Sequence, residues 1–128
     1  MSMSPSSWTT DELATFGTAD EVQLAVRRAD GTLRRPVTIW IVRVGDDLFV
    51  RSVNGPSAAW YRSAEAQHAG QLEAAGARRD VTLEPADPAR ADQIDAAYRS
   101  KYGHYPAAYV DAIVAPQARE TTLRLLPR

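Results

Sequence analysis

Arg27, Arg28, Arg34 and Arg35 crowd into nine residues around an Asp30-Gly31 pair. A guanidinium is a planar fork that meets a phosphate or carboxylate through two parallel hydrogen bonds. Gly31 lets backbone N–H groups come close to an anion. The same cluster also suits a solvated hairpin tip whose charges favour solubility. A second group of residues reads DDLFVRSVNGPSAAWY over positions 46–61. If Leu48 and Val50 face inward, Ser52 does too, at the end of a strand. Its hydroxyl, beside Asn54 and the Gly55 N–H, suits a polar ring edge or a phosphate. Trp60 and Tyr61 can then cover a flat aromatic ligand. Alternatively, Trp60 anchors the core and Asn54-Gly55-Pro56 is only a turn. A third group, Tyr98, Tyr102, Tyr105 and Tyr109, recurs at helical spacing, interrupted by Gly103 and Pro106. Such phenols orient or protonate a substrate carbonyl or nitro group, or simply pack. His68 and His104 each bring an imidazole that titrates near neutrality. No Ser-His-Asp arrangement and no paired-carboxylate signature accompanies them.

The bulk composition narrows the chemistry. The chain has 128 residues, 15 basic and 16 acidic side chains, and a formal charge of −1. That balance gives no reason to expect nucleic acid or an anionic membrane as partner. Cysteine is absent, so disulfides, thiolate nucleophiles and cysteine-bound zinc are excluded. Two histidines are few for a histidine metal site, and no metal is expected. No apolar run reaches the ~20 residues that span a bilayer, and the N-terminus lacks a leader pattern. The expectation is a cytoplasmic protein with a disordered segment at 1–7 and a single domain at 8–128.

The elements that must position these residues follow from periodicity. Thr9 and Glu12 have capping-box spacing and open a helix that stops at Gly17. EVQLAVRR alternates, with Val22, Leu24 and Val26 on one side, as a half-buried strand does. Asp30-Gly31 signals a hairpin. PVTIWIVRV is apolar on both faces and reads as a central strand. Gly45-Asp46-Asp47 turns into a third strand, LFVRSV. Ser57 caps a helix over 58–66. QLEAA is a short strand or a helical turn, and RDVTLEP is a strand. Asp87-Pro88 starts a helix that Gly103 ends, PAAYVDAIVA forms another, and TTLRLLP is a final strand. Closely spaced antiparallel strands with late helices predict an α+β barrel.

The segments DGTLRRPVTIWIVRVGDDLFVRSVNG, AWYR, IDAAYRSKYG and TLRLLP resemble the family named domain of unknown function 2255, over residues 8–127. That family in turn is similar to the split β-barrel flavin- and deazaflavin-dependent nitroreductases. The resemblance implies a split β-barrel (FMN-binding split-barrel-like) with antiparallel strands and short peripheral helices. It implies a homodimer that binds FMN or a deazaflavin coenzyme and acts as an oxidoreductase on a small organic molecule. It assigns Arg28, Gly31, Arg34 and Arg35 to the cofactor phosphate. Ser52, Asn54, Gly55, Trp60 and Tyr61 fall near the ring system. Tyr98, Tyr102 or Tyr105 orients the substrate, and Arg51 points away or toward a partner subunit. The alternative is a cofactor-free barrel that binds a small molecule, or a cyclase- or isomerase-like enzyme that shapes a reactive substrate.

Overall fold

Residues 7–128 are described by a computed structural model. The expected disordered N-terminus therefore lies, apart from Ser7, outside the described residues. The elements run α1 (Thr10–Thr18), β1 (Val22–Val26), β2 (Val37–Ile39), β3 (Val42–Val44), β4 (Asp47–Val50), a 3₁₀ turn (Gly55–Ser57), α2 (Ala59–Gln67), β5 (Ala69–Ala74) and β6 (Ala77–Pro85). A second 3₁₀ turn (Pro88–Arg90) leads into α3 (Ala91–Tyr102), α4 (Ala107–Ile113), α5 (Pro116–Arg119) and β7 (Leu123–Pro127). All seven strands form one sheet in the order β2-β1-β5-β6-β7-β4-β3, and every pairing is antiparallel.

The two edges of that sheet are β2 and β3, which are separated only by Trp40 and Ile41. The expected central strand PVTIWIVRV is thus one segment that bends in its middle. Its first half pairs with β1 and its second with β4, so the sheet curls back on itself as a barrel. The bend interrupts the ladder at Ile41, whose N–H and C=O then need other partners. The Tyr102 hydroxyl supplies both: it accepts from the Ile41 N–H at 3.1 Å and lies 3.0 Å from the Ile41 carbonyl. Lys101 Nζ donates to the Ile41 and Ala19 carbonyls at 2.8 and 2.7 Å.

Alternation fills the interior. Val22, Leu24, Val26, Ile41, Leu48, Val50, Leu72, Val81, Leu83, Leu123 and Leu125 converge there. Each end is closed by a helix. Leu13 and Phe16 of α1 enter from one end, and Tyr61 and Ala64 of α2 from the other. Helix α1 begins at the predicted capping box, in which the Glu12 N–H donates to Thr9 Oγ1 at 3.1 Å. QLEAA resolves as strand β5, and β5 lies so close to β1 that a Cβ on Gly70 would stand 2.7 Å from the Ala25 carbonyl. Ser57 does not cap α2: it lies within the 3₁₀ turn, and Ala58 holds the cap position without a side-chain bond. Pro56 starts that extra turn, which displaces the helix start by one residue.

A second cluster lies outside the barrel. Val42 and Phe49 on the outward face of β3 and β4 meet Ile94, Tyr98, Tyr102, Val110 and Ile113 of α3 and α4. Outward positions of β1, β5 and β6 instead carry Gln23, Gln71, Glu73, Arg78 and Asp80, outside both clusters.

Candidate ligand-binding site

Strand register gathers two of the sequence-predicted motifs at one end of the barrel. Val26 pairs with Gly70, Ala69 with Thr82, Pro85 with Leu123, and Leu123 with Val50. The end of β1, and with it the arginine hairpin, therefore shares a rim with the end of β4 and the Ser52–Gly55 loop. Helix α2 lies between them.

Within the hairpin, the Arg28 N–H donates to the Thr32 carbonyl at 2.7 Å and the Gly31 N–H to the Arg28 carbonyl at 2.9 Å. Gly31 takes φ +88°, a conformation that costs glycine nothing. Asp30 is drawn into the turn, where its carboxylate accepts from Thr32 Oγ1 at 2.6 Å and the Thr32 N–H at 2.9 Å. Those bonds hold its pKa below the usual carboxylate value. Two guanidiniums clasp the same turn: Arg27 donates to the Gly31 carbonyl at 2.7 Å and Arg28 to the Leu33 carbonyl at 2.9 Å. Half-buried Arg34 and exposed Arg35 make no side-chain hydrogen bond or ion pair among the described residues. Of the four arginines, these two alone have no side-chain partner among the described residues.

The second motif is engaged by its own packing. Ser52 is 2% exposed. Its N–H donates to Thr121 Oγ1 at 2.8 Å and its hydroxyl to the Gly55 carbonyl at 2.8 Å. The Gly55 N–H returns to the Ser52 carbonyl at 3.0 Å. Asn54 is exposed. Tyr61 is buried in the barrel interior, and half-buried Trp60 packs beside it edge-on, 6.1 Å between ring centres.

Arg51 points away from the barrel interior as expected, but it does not reach solvent. With Leu48 and Val50 inward, Arg51 does face outward, but on the side that α3 and α4 cover. It is 1% exposed. Its Nε donates to Thr122 Oγ1 at 2.9 Å, and its terminal nitrogens to the Asp95 carboxylate and to the Ile113 and Ala91 carbonyls. Arg119 completes the network on Asp95 at 3.1 Å and Asp92 at 2.8 Å.

The tyrosines separate by burial. Tyr98 is fully buried with no hydrogen-bond partner for its hydroxyl, and burial pushes its pKa far up. Tyr102 is fully buried at the strand bend and is also shifted up by burial. Tyr105 is half-buried and Tyr109 is 60% exposed. Among the three tyrosines assigned to the substrate, Tyr105 alone reaches solvent.

Two residues that the sequence did not single out for the site now stand against Tyr102, Trp40 stacked on its ring and Lys101 Nζ 5.1 Å from its centre. The Trp40 indole lies flat on Tyr102, 3.9 Å between centres and 2° between planes, and 5.2 Å from Tyr105. Burial lowers the Lys101 amine to about 8. Trp40 was hidden because its strand is apolar on both faces, so nothing marked it as outward. His104 approaches Tyr105 at 4.5 Å. His68 closes α2 at φ 56°, with its Nδ1 3.0 Å from the Leu83 carbonyl. A carbonyl only accepts, so Nδ1 is the donor in this contact, and Nε2 makes no hydrogen bond among the described residues.

Two open cavities are lined by none of the sequence-predicted site residues. One, of about 590 Å³, runs along Phe49, Glu84, Pro85, Arg90 and Arg124. The other, of about 250 Å³, lies between Trp8, Leu13, Asp47 and Arg124. Among the described residues no group of three or more His, Cys, Asp or Glu side chains is placed to hold a metal. No helix there is long and apolar enough to cross a membrane.

The model of the family described as "Uncharacterized protein conserved in bacteria (DUF2255)" matches residues 12–125. No curated protein matches the chain. Among solved structures, HutZ, the heme storage protein from Vibrio cholerae, is similar at 19% identity and TM-score 0.64, over 86% of this chain and 82% of that one. An F420 reductase is similar at 16% identity and TM-score 0.54, over 91% of this chain and 90% of that one. Campylobacter jejuni ChuZ is similar at 13% identity and TM-score 0.63, over 86% of this chain; the chain spans 48% of its length. Identities this low speak to the fold, which is the split barrel.

Proposed function

The chain belongs to the DUF2255 family, and we propose that its split barrel binds a flavin-type cofactor, FMN or a deazaflavin, and oxidises or reduces a small organic molecule. The observation that carries this reading is the pair of unpartnered guanidiniums, Arg34 and Arg35, on a rim that a Gly31 turn opens to an anion. The similarity to an F420 reductase fits the same reading. Arg34 and Arg35 grip the anionic tail, while Arg28 and Gly31 fix the shape of the turn. Ser52, Asn54, Gly55, Trp60 and Tyr61 lie on another part of the same rim and back the site rather than touch the ring through their buried groups. Tyr105 is the tyrosine that orients substrate. The cofactor, when bound, supplies hydride chemistry; the chain binds, orients and excludes water. The polar outward face of β1, β5 and β6 pairs with a second copy as a homodimer, and the protein works in the cytoplasm.

Fluorescence titration of the purified chain with FMN and with F420 tests this. Saturable binding is expected, weakened at least about tenfold when Arg34 and Arg35 both become Ala, since a charge-assisted bond contributes about 1.5–3 kcal/mol. Absence of binding by the unaltered chain sinks the proposal.

His68 favours a second reading, in which the rim takes a heme; the similarity to HutZ, a heme storage protein, fits it. The free Nε2 of a fixed imidazole is a suitable axial ligand, and the arginines suit propionates. Hemin titration separates the two: a Soret shift abolished by His68→Ala supports heme, and its absence leaves the flavin reading.

A further inference from the structure

We infer that Trp40 is the stacking platform for the planar ring of the ligand whose anionic end sits at Arg34 and Arg35; this rests on the flavin-type reading above and locates the ring within it. The resemblance places the ring at Ser52–Gly55 under Trp60 and Tyr61. There the structure leaves Trp60, half-buried and edge-on to Tyr61, without a stacked ring behind it. Tyr61 is 7% exposed and lies in the barrel interior, and the Ser52 hydroxyl is engaged by Gly55.

The strand 37–44 offers a different track. Val37, Ile39 and Ile41 pack into the barrel interior, so Thr38 and Trp40 point outward. The chain covers at most about 20 Å from Arg34 to Trp40 at about 3.3 Å per residue. A tricyclic ring with a sugar-phosphate tail has that reach. Between the two ends, Gln23 Nε2 donates to Thr38 Oγ1 at 2.8 Å across the outward face. Both side chains keep further donors or acceptors for the hydroxyls of a tail.

At the far end the indole is ready for a ring. Tyr102 covers one face in near-parallel contact, and Tyr102 is itself fixed by bonds to Ile41 and to the Asp20 carbonyl at 2.8 Å. Trp40 is half-buried, so its remaining exposure belongs to its other face and its edge. Tyr105 flanks it at 46°. A rigid, supported indole stacks a flat ring with little loss of side-chain freedom. Tyr105 then stands at the edge of that ring.

The test uses the full chain with two probes, FMN and riboflavin, which share a ring but differ in the phosphate. Trp40→Leu keeps apolar contact with Tyr102 and removes the flat surface; it is expected to weaken both probes about tenfold or more. Trp40→Phe, with a smaller ring, is expected to weaken both about threefold, and serves if the leucine variant melts early. Arg34→Ala with Arg35→Ala should weaken FMN alone and leave riboflavin within about twofold. If binding by the unaltered chain survives both Trp40 substitutions within twofold, this inference is overturned while the cofactor reading stands. If the unaltered chain binds neither FMN nor F420, both fall.

Discussion

Arginine occupies two contrasting places in this molecule. Arg51 and Arg119 lie against α3 with Asp92 and Asp95, and Arg51 is among the most deeply buried side chains present. Arg34 and Arg35 sit on the rim with no acceptor of their own among the described residues. The first pair belongs to the fold, and the second has side chains without a partner among the described residues. The residue type is the same. What differs is whether a helix covers the face of the sheet onto which the side chain projects.

The comparison breaks most sharply at Arg51. Arg51→Ala leaves Asp95 buried without its main partner and is expected to cost about 3–5 kcal/mol, read by urea or thermal unfolding. Replacing Arg51 and Asp95 together by Met and Leu should recover most of that loss, because two desolvated charges then disappear. A double variant no more stable than Arg51→Ala would show that the network stabilises beyond its own desolvation cost.

The next largest effect sharpens the contrast within α3. Tyr102→Phe strips the Ile41 N–H of its partner at the strand bend and leaves the Ile41 carbonyl to Lys101 alone, with an expected loss of about 1–3 kcal/mol. Tyr98→Phe removes a buried hydroxyl that has no partner, so its melting temperature should stay level or rise. Equal losses in the two variants would mean that the Tyr98 hydroxyl has a hidden partner.

These cases show where the sequence is legible. Alternation at Val22, Leu24 and Val26, the Thr9–Glu12 cap and the Asp30-Gly31 turn are local signals, and each matches its element. Segment 37–44 is misleading because its two-sided apolarity reflects two environments met in succession: the barrel interior for Ile39 and Ile41, and the α3 cluster for Trp40 and Val42. Closure is a long-range fact, decided by which strands receive each half of that segment. Arg51 fails for the same reason: alternation gives its outward direction, but the cover depends on helices that arrive some forty residues later. The arginine hairpin was legible because its chemistry is local. Which of its four guanidiniums remain free was not, because the hydrogen bonds of Arg27 and Arg28 depend on the shape of the turn.

A smaller effect appears with pH. The Lys101 amine is lowered to about 8 in the fold against an ordinary value of 10.5. Between those values the unfolded chain binds more protons, so stability should rise with pH. Tyr98 and Tyr102 are shifted upward by burial. Above about pH 10 the unfolded tyrosines ionise first and stability should fall. Urea unfolding from pH 7 to 11 should therefore show a maximum near 10, and Lys101→Met should remove the rise and keep the fall. A flat profile in the unaltered chain would mean that Lys101 stays as solvated as a surface lysine.

The smallest stability effect belongs to the rim, and that smallness is the point. The Arg34 and Arg35 side chains make no bond among the described residues that unfolding would break, so Arg34→Ala with Arg35→Ala should change stability by no more than about 0.5 kcal/mol. If anything it should rise, because four like charges within nine residues repel one another. Added salt screens that repulsion over about 10 Å at 0.1 M, so the gain should shrink as salt rises. Inorganic phosphate should act in the opposite sense on the unaltered chain, raising its melting temperature by binding the folded state and doing nothing for the double variant. A double variant destabilised as strongly as Arg51→Ala would place these arginines in the fold with Arg51 and erase the distinction between a covered face and an open one.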